Sequence, residues 1–150
     1  MKFSSQEDVA LPIEEVFAAI SDFEVFERRA MRRGAQVSRT DPATGPGLGS
    51  VWDARFAFRG KEREVRGEVT TCDAPAQLAV ASKSGGLSGV FGVELVALAP
   101  QRTRMIVGLE LTPGNLSSRL LLQSLKLAKT TLSARCSKAV TDYARSLDAD

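Results

Sequence analysis

The segment Ser50–Thr71 reads SVWDARFAFRGKEREVRGEVTT and carries the pattern that decides the fold. Apolar side chains alternate with charged ones on both sides of the Arg59-Gly60 dipeptide. Such alternation is typical of strands that bury one face, and the dipeptide is a turn signal. The segment therefore predicts two antiparallel strands joined by a tight turn.

The same alternation continues in both directions from this hairpin. Residues 2–10 predict a partly exposed strand, and residues 35–40 predict a short one. After the hairpin, strands are predicted over residues 77–83, 88–99 and 103–112, with turn residues between them. Short connections favour antiparallel pairing of successive strands, so we expect a sheet of six to seven strands.

Two short helices are predicted between the first two strands. Pro12 stands at a natural helix start, and apolar residues at helical spacing continue to about Ile20. Asp22 is a candidate N-cap for a second helix through Arg33, and Gly34 is a good C-terminal stop.

A long helix is predicted in the last part of the sequence. It runs from about Leu116 to Leu147, after Pro113-Gly114-Asn115 has ended the last strand, and carries an apolar stripe at i, i+3 and i+4 spacing from Leu121 to Leu147. We interpret the stripe as the surface that packs on the sheet. Residues 120–129 also fit a surface amphipathic anchor, but a stripe this long is needed to cover the sheet.

The composition excludes several kinds of function. The chain has 150 residues, 43% hydrophobic and 25% charged, which fits one globular domain over residues 1–150. A net charge of +2 gives no electrostatic argument for a nucleic-acid partner. The sequence contains no histidine, which removes Ser-His-Asp and Cys-His mechanisms and the ordinary zinc and iron sites. We therefore expect no metal and no cofactor.

Cysteine usage and hydropathy indicate the compartment. Cys72 and Cys136 lie far apart, and nothing in the sequence supports an oxidised scaffold. No apolar run follows Met1, and no apolar stretch approaches the ~20 residues of a membrane span. We expect a cytoplasmic protein with no signal peptide and no integral membrane association.

The element order resembles the helix-grip fold of the START-related, birch-pollen-allergen-like and polyketide-cyclase superfamily, often called SRPBCC. The resemblance covers the whole chain. It rests on VALPIEEVF at residues 9–17, Asp22-Phe23 opening the second helix, the glycine-rich loop before Trp52 and the long closing helix. It implies an α+β domain whose curved antiparallel sheet wraps around the C-terminal helix, with a cavity between the sheet and that helix.

The inward parity of the strands and the helix stripe then predict the wall of a small-molecule site. The candidate lining residues are Trp52, Phe56, Phe58, Val69, Leu78, Val80, Phe91, Val93, Met105, Val107, Leu109, Leu121, Leu125 and Leu132. The same side chains could instead pack as a dry core, and periodicity leaves both interpretations open.

Four polar residues share the inward parity and are candidate polar groups of the cavity. They are Arg63, Thr71, Ser82 and Thr103. Arg63 stands out because a buried cation is costly unless it is paired or offered to a ligand anion. It also lies near a hairpin end, where a long cationic side chain can keep its charge in water at the rim.

Two further motifs carry alternative interpretations. Residues 45–49 read GPGLG, but no lysine and no helix follow, so they predict a strand connection rather than a phosphate loop. Arg28, Arg29, Arg32 and Arg33 form either an anion or membrane-surface patch, or a solvated helix end that complements the helix dipole.

The leading hypothesis is a protein that binds or carries a small apolar molecule, lipid-like or aromatic, without a covalent step. It follows from an apolar inward face that lacks histidine, a metal cluster and converging carboxylates. One alternative is a cyclase or dehydrase that uses Arg63, Thr71 or Ser82 without histidine or metal. Another is a protein-interaction module with a filled core and a protein partner.

Overall fold

The computed structural model describes residues 1–148 and contains seven strands. Their alternating burial follows the apolar parity of the sequence. The strands are β1 (Lys2–Val9), β2 (Gln36–Thr40), β3 (Val51–Phe58), β4 (Lys61–Asp73), β5 (Gln77–Ser84), β6 (Leu87–Ala99) and β7 (Arg102–Pro113). They form one antiparallel sheet in the order β1-β7-β6-β5-β4-β3-β2.

Four helices accompany the sheet within the described residues. α1 (Ile13–Ile20) and α2 (Phe23–Arg32) lie between β1 and β2 in the chain, as predicted. After β7 come α3 (Leu116–Leu127) and α4 (Lys129–Asp148). The α+β fold class is confirmed: an open antiparallel sheet with two short helices after the first strand and a long C-terminal helix.

The predicted continuous helix over residues 116–147 is instead two helices that meet at Ala128. This residue has φ −107° and ψ 17°, outside helical geometry. Its N–H donates to the carbonyl of Leu125, which closes the last turn of α3. The two helices pack on different strands, α3 on β7 and α4 on β1. Tertiary packing thus overrides a helical pattern that no glycine or proline interrupts.

The sheet and helices enclose an interior because each sheet edge lies under a helix. α4 packs against β1 at one edge and α2 against β2 at the other. The two helices meet through Phe26 and Tyr143, whose ring centres are 5.5 Å apart. Register shifts between Val69 and Thr71, and between Ala97 and Ala99, mark bulges that bend the long strands.

The main apolar core lies at the end of the sheet that α1 covers. Its buried members are Val9, Val16, Phe17, Ile20, Phe23, Val69, Leu78, Val93, Leu95, Met105, Ala144 and Leu147. α3 lies apart from this cluster and buries Leu122 and Leu125 separately. In residues 1–148 no helix is long and apolar enough to cross a membrane.

Candidate functional site

A cavity of about 900 Å³ lies between the inner face of the sheet and the helices α2 and α4. Exposed residues such as Arg29, Phe26 and Phe91 belong to its wall, so the cavity opens to solvent. The wall consists of Ile20, Phe23, Phe26, Glu27, Arg29, Ala30, Arg33, Val37, Trp52, Ala54, Leu78, Val80, Phe91, Val93, Met105, Val107, Ala139, Val140, Asp142, Tyr143 and Ser146.

Cross-strand pairing builds the floor of the cavity. Val80 on β5 pairs with Phe91 on β6, and Val93 on β6 pairs with Val107 on β7. Directly paired residues point to the same face of a sheet, so these four side chains form a continuous apolar surface. The floor is therefore a product of strand parity, which the sequence already shows.

Two helices supply the opposite wall through one face each. On α2 the wall residues recur at intervals of three and four, from Phe23 to Ala30, and Arg33 continues this spacing directly after the helix. On α4 they run from Ala139 to Ser146 with the same helical spacing. Residues at these intervals share one helix face, so each helix directs one stripe into the cavity.

A chain of hydrogen bonds ties α2 to the sheet at one end of the cavity. The Glu27 carboxylate accepts from a terminal guanidinium nitrogen (Nη1) of Arg39 at 2.6 Å and from Nε1–H of Trp52 at 2.9 Å. Arg39 Nε donates to Asp41 at 3.0 Å, and Asp41 accepts from the hydroxyl of the fully buried Ser50 at 2.7 Å. The side chains of Glu27 and Arg39 are only 15% and 13% exposed, so this ion pair is well shielded from water.

Tyr143 and Arg29 face each other where α4 meets α2. The guanidinium carbon of Arg29 lies 5.4 Å from the centre of the Tyr143 ring and 5.9 Å from that of Phe26. Such stacking joins a cation to the negative face of an aromatic ring. Burial raises the pKa of the Tyr143 phenol to about 12, against the opposing effect of the Arg29 charge. The phenol therefore stays protonated at neutral pH.

Seven of the predicted lining residues belong to the cavity wall. They are Trp52, Leu78, Val80, Phe91, Val93, Met105 and Val107. All seven lie on strands β3, β5, β6 and β7, where alternation alone fixes the direction of a side chain.

The other predicted strand residues lie outside the wall. Val69 packs in the core with 1% exposure, and Phe58 lies at the β3–β4 turn with 37% exposure. Phe56 and Leu109 are half-buried on the inward parity but not beside the cavity. All four lie on the inward parity that the sequence predicts, but the cavity extends over only part of the inner face.

The three predicted helix residues Leu121, Leu125 and Leu132 do not line the cavity either. Leu125 is buried and Leu121 half-buried on α3, which packs on β7. Leu132 is half-buried in the first turn of α4. The wall instead uses the stretch from Ala139 to Ser146, because α4 crosses the cavity only in its second half.

None of the predicted polar groups is part of the wall. Thr103 is fully buried and donates to the carbonyl of Leu11 at 2.9 Å, while Ser82 donates to the carbonyl of Gly89 at 3.3 Å. Arg63 lies with its guanidinium carbon 5.8 Å from the centre of the Phe58 ring, at the hairpin end. The rim interpretation of Arg63 therefore describes its position.

Thr71 was predicted on the inner face of the sheet, but it lies on the outer face. The bulge makes Val69 pair with Val80 but Thr71 pair with Ala79, on the opposite face. Cys72 takes the inward position opposite Leu78 and packs against the core. A bulge inserts one extra residue, so parity reverses beyond it.

The polar wall residues Glu27 and Tyr143 were not predicted from the sequence as cavity groups. Glu27 is the residue whose carboxylate Arg39 binds. Arg39 follows Val37 with strand parity, so it pairs with Trp52 on the inner face, and this signal was present in the sequence. The arginine cluster divides by helix face: Arg29 and Arg33 line the cavity, whereas Arg28 and Arg32 do not.

Sequence comparison identifies no relative: the chain matches no family model and no curated protein. Solved structures do match it over most of its length. A truncated norcoclaurine synthase from Thalictrum flavum has a TM-score of 0.68 at 12% identity, covering 96% of this chain and 90% of that one. The structure of Ara h 8.0201 has a TM-score of 0.62 at 16% identity, covering 97% and 98%.

A START superfamily protein from Mycobacterium smegmatis has a TM-score of 0.56 at 18% identity, covering 89% of this chain and 95% of that one. At these identities the likeness shows the fold. The chain has the helix-grip fold shared by START-like and birch-pollen-allergen-like proteins, as the sequence predicted.

Proposed function

We propose that this protein binds or carries a small apolar molecule in the cavity between the sheet, α2 and α4. The observation that supports this most is the cavity itself, about 900 Å³ with a mainly apolar wall. Ligand sites of drug-sized molecules are clefts of roughly 300–1,000 Å³ with a few polar groups that fix orientation. Trp52, Val80, Val93 and Val107 provide the apolar surface.

The volume argues against the protein-interaction alternative in its filled-core form. A closely packed interior holds few voids larger than a water molecule. A cavity of about 900 Å³ is far larger than such voids. An open apolar space of this kind is expected where a ligand replaces the missing side-chain contacts.

Catalysis in the same cavity is the second candidate, because a synthase has this fold. The wall offers Tyr143 as a proton donor whose pKa is raised to about 12. The acidic residues of the wall already have partners. Glu27 accepts hydrogen bonds from Arg39 and Trp52, and Asp142 forms an ion pair with Lys138 at 2.7 Å. The arrangement favours holding a ligand over moving protons between an acid and a base.

Native mass spectrometry of freshly purified protein, followed by denaturing extraction, tests the proposal. We expect a stoichiometric apolar adduct or, after delipidation, a thermal shift with lipids or aromatic polyketide-like compounds. A clean apo mass together with no shift across that panel would reject the binding function. If the protein converted a bound compound and the Tyr143→Phe variant did not, the enzymatic alternative would be established instead.

A further inference from the structure

Two arginines line the cavity without a carboxylate partner. Arg29 and Arg33 both belong to the wall and are exposed to solvent on their outer side. Neither takes part in an ion pair with any group among residues 1–148. Arg33 is the residue that ends α2 at its C-terminal side, four positions after Arg29, so the two side chains lie on the same side of the helix.

The acidic residues of the wall do not balance these two charges. Glu27 is bound by Arg39 at 2.6 Å, and Asp142 is bound by Lys138 at 2.7 Å. Each of these pairs is neutral by itself. Arg29 and Arg33 are therefore the wall cations that form no ion pair within residues 1–148, while the charge of Asp22 also acts on the Tyr143 phenol.

Tyr143 adds a hydrogen-bond donor at the same place. Its ring centre is 5.4 Å from the guanidinium carbon of Arg29, and burial keeps the pKa of its phenol at about 12. A protonated phenol donates a hydrogen bond and does not repel an anion. Cation and donor thus face the cavity from two helices, α2 and α4.

We propose that the ligand is an amphipathic anion whose carboxylate-type head group binds between Arg29, Arg33 and Tyr143. The inference rests on the proposed ligand-binding function and names the class of ligand. A guanidinium presents a planar fork of donors that matches a carboxylate, and such charge-assisted hydrogen bonds are stronger than neutral ones.

The rest of the wall determines the other end of the ligand. The sheet side of the cavity consists of residues such as Val80, Phe91, Val93 and Val107, which offer no hydrogen bond. A second polar end would lose its water there without compensation. The ligand therefore has one charged end and an apolar body.

Calorimetric titration with three probes of equal chain length tests this inference: decanoate, decan-1-ol and decyltrimethylammonium, each below its micelle concentration. We expect decanoate to bind about 10-fold more tightly than decan-1-ol, and the cation to bind most weakly. The double variant Arg29→Gln, Arg33→Gln should lose the preference for decanoate while it still binds decan-1-ol. Retained binding of the alcohol shows that the double variant is folded.

Arg32→Gln is the matched control, because Arg32 lies on the same helix but outside the cavity wall. It should keep the full preference for decanoate. Equal affinities of decanoate and decan-1-ol in the unmodified protein would overturn the anionic head group and leave the binding function intact. A preference that survives in the double variant would overturn the assignment to these arginines. Failure of all three probes to bind would overturn the inference of an amphipathic anion, and the binding function itself would still be decided by the mass spectrometry and the wider panel.

Discussion

The indole N–H of Trp52 donates a 2.9 Å hydrogen bond to the carboxylate of Glu27, 25 positions earlier in the chain. This bond fixes α2 against β3, since Glu27 lies on the helix and Trp52 on the strand. The rings of Phe23 and Trp52 also pack nearly perpendicular to each other, with centres 4.8 Å apart. One end of the cavity is thus held by a polar and an aromatic contact together.

Glu27→Ala should lower the free energy of unfolding by about 2 kcal/mol, because it leaves a shielded arginine short of its partner. Urea unfolding followed by circular dichroism measures this. The control is Glu24→Ala on the same helix, where the ion pair with Arg28 is 3.9 Å long and exposed. That variant should stay within about 0.5 kcal/mol of the parent. Similar losses in both would contradict a structural role for the Glu27 network.

Val69 and Val80 offer a direct test of packed core against open cavity. They pair across β4 and β5, yet Val69 is 1% exposed in the core and Val80 lines the cavity. Val69→Phe should overpack the core and cost about 1–3 kcal/mol in urea unfolding. Val80→Phe should cost less than about 1 kcal/mol, because the larger ring has space. If Val80→Phe were as costly as Val69→Phe, the space beside Val80 would be filled in solution.

Tyr143 should make stability fall at alkaline pH. Its folded pKa of about 12 exceeds the ordinary 10.0, so the unfolded chain loses this proton first as the pH rises. The contribution is complete below pH 10.0 and is lost progressively up to about pH 12. Tyr143 is the single tyrosine of the chain, so phenolate absorbance during a pH titration reports it alone.

Tyr143→Phe supplies the control for that titration. The variant keeps the ring beside Arg29 but has no ionising group, so it should lose this part of the alkaline destabilisation. If the phenolate of the parent protein formed near pH 10.0, the ordinary pKa of a tyrosine, the ring would be solvated in the folded protein.

Gly86 should tolerate alanine less well than its neighbour Gly85. Both have positive φ, 87° and 54°, but a Cβ on Gly86 would collide with the side chain of Asn115, whereas Gly85 has open space. Asn115 caps α3 by accepting from the N–H of Ser118 at 2.8 Å. We expect Gly85→Ala to cost about 1 kcal/mol from backbone strain and Gly86→Ala at least about 2 kcal/mol.

Thermal unfolding of the two alanine variants measures this difference. Gly86→Ala should lose the Asn115 cap and also carry the backbone strain that Gly85→Ala has. Equal melting temperatures would mean that the Asn115 cap does not depend on the glycine opposite it.

The sheet could be predicted from the sequence almost residue by residue, because alternation with turn residues leaves few alternatives. The predicted strand over residues 77–83 is Gln77–Ser84, and that over 103–112 is Arg102–Pro113. The bulge after Val69 could not be predicted, since Thr70 and Thr71 are both ordinary strand residues. This one inserted residue turned Thr71 away from the inner face.

The helices were harder to place, for physical reasons. Periodicity shows which face of a helix is apolar but not which turn lies over a cavity. Leu121 was therefore predicted to line the cavity, whereas Val140 does so. The contact between Glu27 and Arg39 joins two elements through side-chain reach, which no repeat in the sequence encodes. Strand parity thus predicted the floor of the site, and tertiary packing determined its polar wall.

The chain has one tryptophan and one tyrosine, and both lie in the wall of the same cavity, on opposite elements β3 and α4. All indole and phenol emission of the protein therefore originates at this site. Excitation energy passes from tyrosine to tryptophan with an efficiency that falls steeply with their separation. The efficiency of energy transfer from Tyr143 to Trp52 thus reports the distance between α4 and the sheet. A fall in this efficiency would record widening of the cavity without any added label.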